Sequence, residues 1–318
     1  MYRRILNRLK RDWLAVRYSR LAGVARFDPK KARIVSGDPR GGTTWLAQLL
    51  NELPGSALIW EPLAVSEVKE VHALKFQWRQ FIPEDDSWPE AKELMERILS
   101  GRLLSPYLCQ QTTPRQLRQA NHLLIKFCRA NQLLPWLTKE FHFEVPPVYL
   151  VRHPCAVVAS QLKQGGWKNV PPHFTIPEGR YTSFYTKHEK FLETIDTIEK
   201  RLAATWCLCN RVPLSHPDNN KRWITVTYES MLLDGPREID RIARRWNVSI
   251  PKGVYDKLQT ASSTTVTGSP ILQGSVREQL EYWKFSLTAG QIENIMSVVN
   301  YFGVDLYDSD VLPRRTFT

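Results

Sequence analysis

Short apolar runs alternate along this chain with longer stretches in which apolar residues recur every three or four positions. Five runs have the length and β-branched content of strands: Arg33–Gly37, Ala57–Trp60, His122–Phe127, Pro147–Val151 and Trp223–Thr227. Helical spacing is read over 44–53, 183–210 and 235–247, and in a last helix that starts near 286–289. Residues 63–120 are mixed and mainly helical, with breaks near Pro83, Pro89 and Pro106. Strands separated by helices predict an α/β fold with a central parallel sheet of about five strands and helices on both faces.

The 318 residues suit one large α/β unit, read as a single domain over 33–318 behind a separate basic segment over 1–32. Residues 2–22 form an amphipathic helix pattern. Tyr2, Ile5, Leu6, Leu9, Trp13 and Val16 share one face, and Arg3, Arg4, Arg8, Lys10, Arg11, Arg17 and Arg20 fill the rest. Two readings stay open: contact with an anionic membrane surface or acidic partner, or a helix that packs its apolar face on the domain.

Charge changes the picture less than the net +12 suggests. Residues 1–33 hold eleven Arg or Lys against two Asp, which is nine of those twelve charges. The basic character belongs to the N-terminal segment, so nucleic acid is not the expected partner. No run approaches the ~18 apolar residues of a membrane-spanning helix, and the N-terminus lacks the apolar core of a secretory signal. Five cysteines with no C-x-x-C pair fit reduced thiols, and a cytoplasmic location is expected.

The chemistry gathers at Gly37-Asp38-Pro39-Arg40-Gly41-Gly42-Thr43-Thr44-Trp45. A strand, a glycine loop and a helix N-terminus in succession make an anion seat of backbone N–H groups and helix dipole. The spacing approaches the nucleotide P-loop, but Thr43 stands where that loop has lysine, and the cation comes earlier, at Arg40. The strand 148–151 ends in Arg152 rather than in a magnesium-binding acid. The loop therefore reads as a phosphate seat without metal, and a P-loop kinase is the less favoured alternative. Arg152 and Ser160, eight residues apart at a strand end and one turn into a helix, can meet one tetrahedral anion. Glu61, held out of helix by Pro62, ends the second strand. Lys126 lies near the end of the third.

Together these residues resemble the sulfotransferases that use PAPS (3′-phosphoadenosine 5′-phosphosulfate), over about residues 33–305. Pro39–Trp45 resembles their 5′-phosphosulfate loop. Leu150 to Ser160 resembles their 3′-phosphate motif, and Val226–Glu229 their Tyr-Glu strand end, whose tyrosine, here Tyr228, lies near the adenine. Glu61-Pro62-Leu63 and Lys126 with Arg129 are similar to the carbohydrate branch. There are departures. Gly41 replaces a frequent serine, and His153 replaces the aspartate of Arg-Asp-Pro. Arg277 is the best counterpart of a C-terminal basic loop.

The resemblance implies a P-loop-type three-layer sandwich that transfers a sulfuryl group from PAPS to a hydroxyl acceptor, a saccharide or a glycosylated small molecule, with no metal. Arg40, Gly41, Gly42, Thr43, Thr44 and Trp45 would hold the 5′ end, and Arg152, Ser160, Tyr228 and Arg277 the nucleotide. Arg40 and Lys126 would stabilise developing charge. Glu61 is the candidate general base, on two expectations: that the first and second strands bring it close to the loop, and that burial raises its pKa. Its alternative is a carboxylate that pairs with Arg40 or Lys126. A histidine base (His72, His122, His173) stays open without a matching motif. Residues 63–120 and 164–180 are read as an acceptor-site insertion and a lid. A non-enzymatic reading, a membrane-associated binding module led by residues 2–22, leaves these motifs unexplained.

Overall fold

A computed structural model describes residues 2–24, 27–164, 167, 170–258, 260 and 275–318. The predicted runs form β1 (Arg33–Gly37), β2 (Ser56–Trp60), β3 (His122–Phe127), β4 (Val148–Val151) and β5 (Ile224–Thr227), within a residue or so at each end. All pair in parallel in the order β2-β3-β1-β4-β5. The fold is α/β, with helices on both faces of this sheet.

Alternation along the strands assigns the two faces. Val35, Leu58, Leu124, Leu150 and Val226 pack with helix Thr43–Leu50 and helix Gly235–Trp246. Ile34, Ile59, Ile125 and Phe127 point the other way, into a core shared with helices Pro89–Leu99 and Leu134–Phe141. Tyr149 and Val151 extend that second face toward helices Pro154–Lys163, Ile198–Ser215 and Ala289–Tyr301. A helix over Val276–Ser286, opened by a Ser275–Glu278 capping box, was not anticipated; it precedes the expected last helix.

Residues 63–120 cover the second face. Val71, Phe76, Trp88, Leu94, Met95 and Ile98 are buried with β2 and β3. This insertion meets the end of the segment 164–180 and the residue after it. Gln77 Nε2 donates to the carbonyls of Glu178 and Arg180, at 3.5 and 3.3 Å, and Tyr181 meets Trp88 edge-on. Gly165, Gly166, Lys168 and Asn169 of the expected lid lie outside the described residues. No helix among the described residues is long and apolar enough to cross a membrane.

Candidate functional site

The strand order fixes where a ligand can sit. From β1 the chain moves to β2 and β3 on one side, then to β4 and β5 on the other, so β1 and β4 flank a switch point. Crevices at the carboxyl ends of such strands are the binding positions of open α/β sheets. The loop 37–43 and Arg152 both emerge there.

The loop is packed too tightly to be a generic turn. A Cβ on Gly37 would lie 2.4 Å from the Leu150 carbonyl oxygen and 2.6 Å from Thr43 Cγ2. Gly42 has φ +97°, and a Cβ there would meet the Tyr228 ring at 2.6 Å. Gly42 is the N-cap of helix Thr43–Leu50 and supplies no side-chain cap, so the leading N–H groups of that helix are left to the loop and its contents. Arg40 adopts φ +70°, a conformation non-glycine residues rarely take. Two contacts hold it and a third holds its neighbour Pro39. Arg152 donates to the Arg40 carbonyl at 3.1 Å, Arg40 Nε donates to Ser160 Oγ at 3.0 Å, and Gln161 donates to the Pro39 carbonyl at 3.1 Å.

Arg40, Arg152 and Ser160, drawn from two motifs over a hundred residues apart, thus form one cluster. The Arg152 guanidinium lies 4.2 Å over the Tyr228 ring, and Trp45 meets the same ring edge-on. Burial, and then the charge of Arg152, push the Arg40 pKa down. Arg152 Nε is buried without a hydrogen-bond partner among the described residues. Two guanidinium groups held together, one with a donor unspent, suit a tetrahedral anion.

His153 does the structural work of an aspartate. Its Nδ1 accepts from Cys155 N at 3.1 Å and caps helix Pro154–Lys163, while its Nε2 donates to the Asp308 carbonyl at 3.0 Å. The ring stacks on Trp283, and burial pushes its pKa down to about 4. Its backbone N–H donates to Glu229, whose other oxygen accepts from Tyr307 at 2.7 Å. Tyr228 opens helix Tyr228–Leu233 behind a Thr227 cap, rather than ending the strand, so the Tyr-Glu pair anchors a helix start.

Glu61 requires one correction, in the direction of its pKa. β3 lies between β1 and β2, so Glu61 reaches the loop through β3. It is buried against Lys126, with which it forms an ion pair; it also accepts from Cys128 N at 2.8 Å and lies 3.4 Å from Arg129. Burial, the largest single influence, would raise its pKa, but the charges of Lys126 and Arg129 together with the hydrogen bonds from Cys128 and Lys126 outweigh it and hold the carboxyl below the usual carboxylate range. The chain of contact continues from Lys126 to Cys128 Sγ at 3.3 Å, and from there to Thr43 Oγ1 at 3.2 Å, under the loop. Lys126 lies over Trp60 and Arg129 over the exposed Trp78.

Arg277 does not join the cluster. It is 84 % exposed and pairs with Glu281 one turn along its own helix. The histidines are elsewhere too. His122 begins β3 at the edge away from the loop, His72 is exposed, and His173 faces the Ile195 carbonyl. The pattern reading missed Asp38. It is 3 % exposed and bonds Arg79 at 2.5 Å, Asn131 at 3.4 Å and Asn210. Its carbonyl accepts from Gly41 N at 2.9 Å. Its place inside the loop motif was the available signal; its partners are remote in sequence and give none. No cluster of His, Cys, Asp or Glu able to hold a metal occurs among the described residues.

No protein-family model matches the chain, and no curated relative matches it in sequence. Similar backbones occur among solved structures. A mouse sulfotransferase complexed with PAP is 14 % identical at a TM-score of 0.46, covering 92 % of this chain and 91 % of its own. The sulfotransferase domain of the Synechococcus olefin synthase is 18 % identical at 0.45, covering 90 % and 98 %. The sulfotransferase domain of the curacin biosynthetic pathway is 14 % identical at 0.46, covering 89 % and 99 %. At such identities and scores the likeness does not carry a function.

Proposed function

We propose that this chain transfers a sulfuryl group from PAPS to a hydroxyl acceptor. The observation that carries the reading is the convergence of Arg40, Arg152, Ser160 and Tyr228 on a helix N-terminus without a side-chain cap. PAPS has two anionic ends that fit it. Arg40, the amides of Gly41 to Thr44 and the hydroxyls of Thr43 and Thr44 would take the 5′-phosphate. Arg152 and Ser160 would take the 3′-phosphate, and Tyr228 with Trp45 would offer an aromatic wall for the base.

In the transfer, an acceptor oxygen bonds to sulfur while the bond from sulfur to the 5′-phosphate oxygen breaks, and 3′,5′-ADP leaves. Protein groups act by aligning the partners and by meeting charge on the departing phosphate. Arg40 and the loop amides stand at that phosphate, and Lys126 approaches from beneath through Cys128 and Thr43. Glu61 orients Lys126. Its lowered pKa keeps it ionised at neutral pH, the form that receives the acceptor's proton, although it makes a weaker base.

The acceptor is proposed to be a saccharide or a glycosylated small molecule. The resemblance of Glu61–Leu63, Lys126 and Arg129 to the carbohydrate branch supports this, as does the exposed indole of Trp78 beside Arg129, a flat surface with an adjacent cation.

Thermal unfolding tests the donor half. Addition of 3′,5′-ADP without magnesium is expected to raise the melting temperature, with little effect from ATP. No shift with 3′,5′-ADP overturns the reading. Labelled PAPS with a panel of hydroxyl acceptors tests the second half.

A further inference from the structure

The N-terminal helix Tyr2–Ala22 docks on the domain by one face and turns a different apolar face outward. Its docked face is Leu14, Tyr18 and Leu21. Tyr18 is buried and donates to the Thr112 carbonyl at 2.7 Å, while Leu14 and Leu21 pack on the core beneath. At 100° per residue, Leu9, Trp13, Val16 and Arg20 fall within about 60° of one another, on a separate face. There Leu9 is 59 % exposed, Trp13 55 % and Val16 52 %, and Val24 just beyond the helix is exposed as well. Packing on the domain therefore accounts for Tyr18 and its neighbours and not for this stripe. The side chains of residues 2–8, which include the rest of the expected apolar face, lie outside the description.

Arg20 lies within the stripe and Lys10 to one side of it, both exposed, and the Arg17 guanidinium on that same side lies 4.4 Å over the Trp13 ring; the exposed Asp12 borders the other side, and Arg11 falls on the docked side of the helix. We propose that this face is a docking surface for an anionic lipid bilayer, with the helix lying in the plane of the headgroups. Indole and aliphatic side chains would enter the boundary between headgroups and acyl chains, and the lysine and arginines would meet lipid phosphates. Charge argues against a second copy of this chain as occupant, because residues 1–33 of each copy carry nine net positive charges. An acidic protein would satisfy the cations and leave three adjacent apolar side chains without a seat; a bilayer satisfies both.

The test uses the full chain and vesicles of phosphatidylcholine alone or mixed with phosphatidylglycerol. Co-sedimentation is expected with the mixed vesicles only. The triple substitution Leu9→Ser, Trp13→Ser, Val16→Ser is expected to weaken it by about tenfold or more. Brominated acyl chains are expected to quench tryptophan fluorescence, and Trp13→Phe to abolish that quenching while keeping vesicle binding. All three positions are exposed, so an unchanged melting temperature confirms that the triple variant is folded. Two results overturn the proposal: no binding to mixed vesicles at low salt, or binding undiminished in the triple variant. None of these readouts depends on the donor nucleotide.

Discussion

The Arg79 guanidinium meets the Asp38 carboxylate at 2.5 Å, and joins the segment before helix Pro89–Leu99 to the loop that begins the site. Asp38 also accepts from Asn131 and Asn210, and Arg79 further donates to Cys209 Sγ at 3.1 Å. Removing one partner leaves a buried charge unpaired. Asp38→Ala is expected to destabilise the chain by roughly 3–5 kcal/mol. Combining it with Arg79→Met is expected to recover part of that loss. A double-mutant cycle in urea checks this; purely additive effects would deny the coupling.

Arg152→Lys keeps a cation and loses the planar fork. The stabilisation by 3′,5′-ADP is expected to shrink strongly in Arg152→Lys and to vanish in Arg152→Ala, because Arg152 both supports the Arg40 carbonyl and presents an unspent Nε. Melting curves with and without the nucleotide read the effect. An undiminished shift in Arg152→Ala removes this residue from the site.

Glu61→Gln separates holding from reacting. The amide can still accept from Cys128 N but loses its charge beside Lys126. Stabilisation by 3′,5′-ADP is expected to persist while kcat falls by about a hundredfold or more. Retained turnover would reduce Glu61 to a partner of Lys126.

His153 predicts an acid-sensitive fold. Its pKa is about 4 in the folded chain and about 6.5 in an unfolded one, so the unfolded state binds the proton first as pH falls. The contribution is intact above pH ~6.5 and is lost progressively down to pH ~4, by at most roughly 3 kcal/mol. His153→Asn keeps an oxygen to cap Cys155 and cannot titrate. Urea midpoints measured from pH 7 to pH 4 are expected to fall less steeply in this variant than in the parent.

Gly42→Ala forces a Cβ into the Tyr228 ring at a backbone angle that favours glycine. A loss of about 1–3 kcal/mol is expected, together with weaker nucleotide binding as the ring moves. Gly303→Ala, also at positive φ but with open space around the Cβ, provides the control: it is expected to lose stability without affecting the nucleotide.

The five strands and the loop were legible because each is written locally, in apolar runs and in glycines at fixed spacing. The meeting of Arg40 with Ser160 was legible only as two separate motifs. The strand order was not written locally, and it changed the account of Glu61: placing β3 between β1 and β2 surrounds that carboxylate with Lys126, Cys128 and Arg129 and reverses the direction of its pKa shift. Arg277 is exposed and pairs with Glu281, and a basic residue near the end of the chain carries no local mark of whether it turns inward. The Asp38 network, built from residues 41 to 172 positions apart, was beyond any periodicity.

All five cysteine sulfurs are buried as free thiols. An alkylating reagent therefore meets none of them until some part of the chain opens, and the rate at which each is labelled times that opening. Cys128 lies directly beneath Thr43, so its labelling clocks the donor loop itself, while Cys155, Cys207 and Cys209 report on the far side of the sheet. The molecule thus carries its own set of hidden stopwatches, one of them under the loop where a bound nucleotide would slow it most.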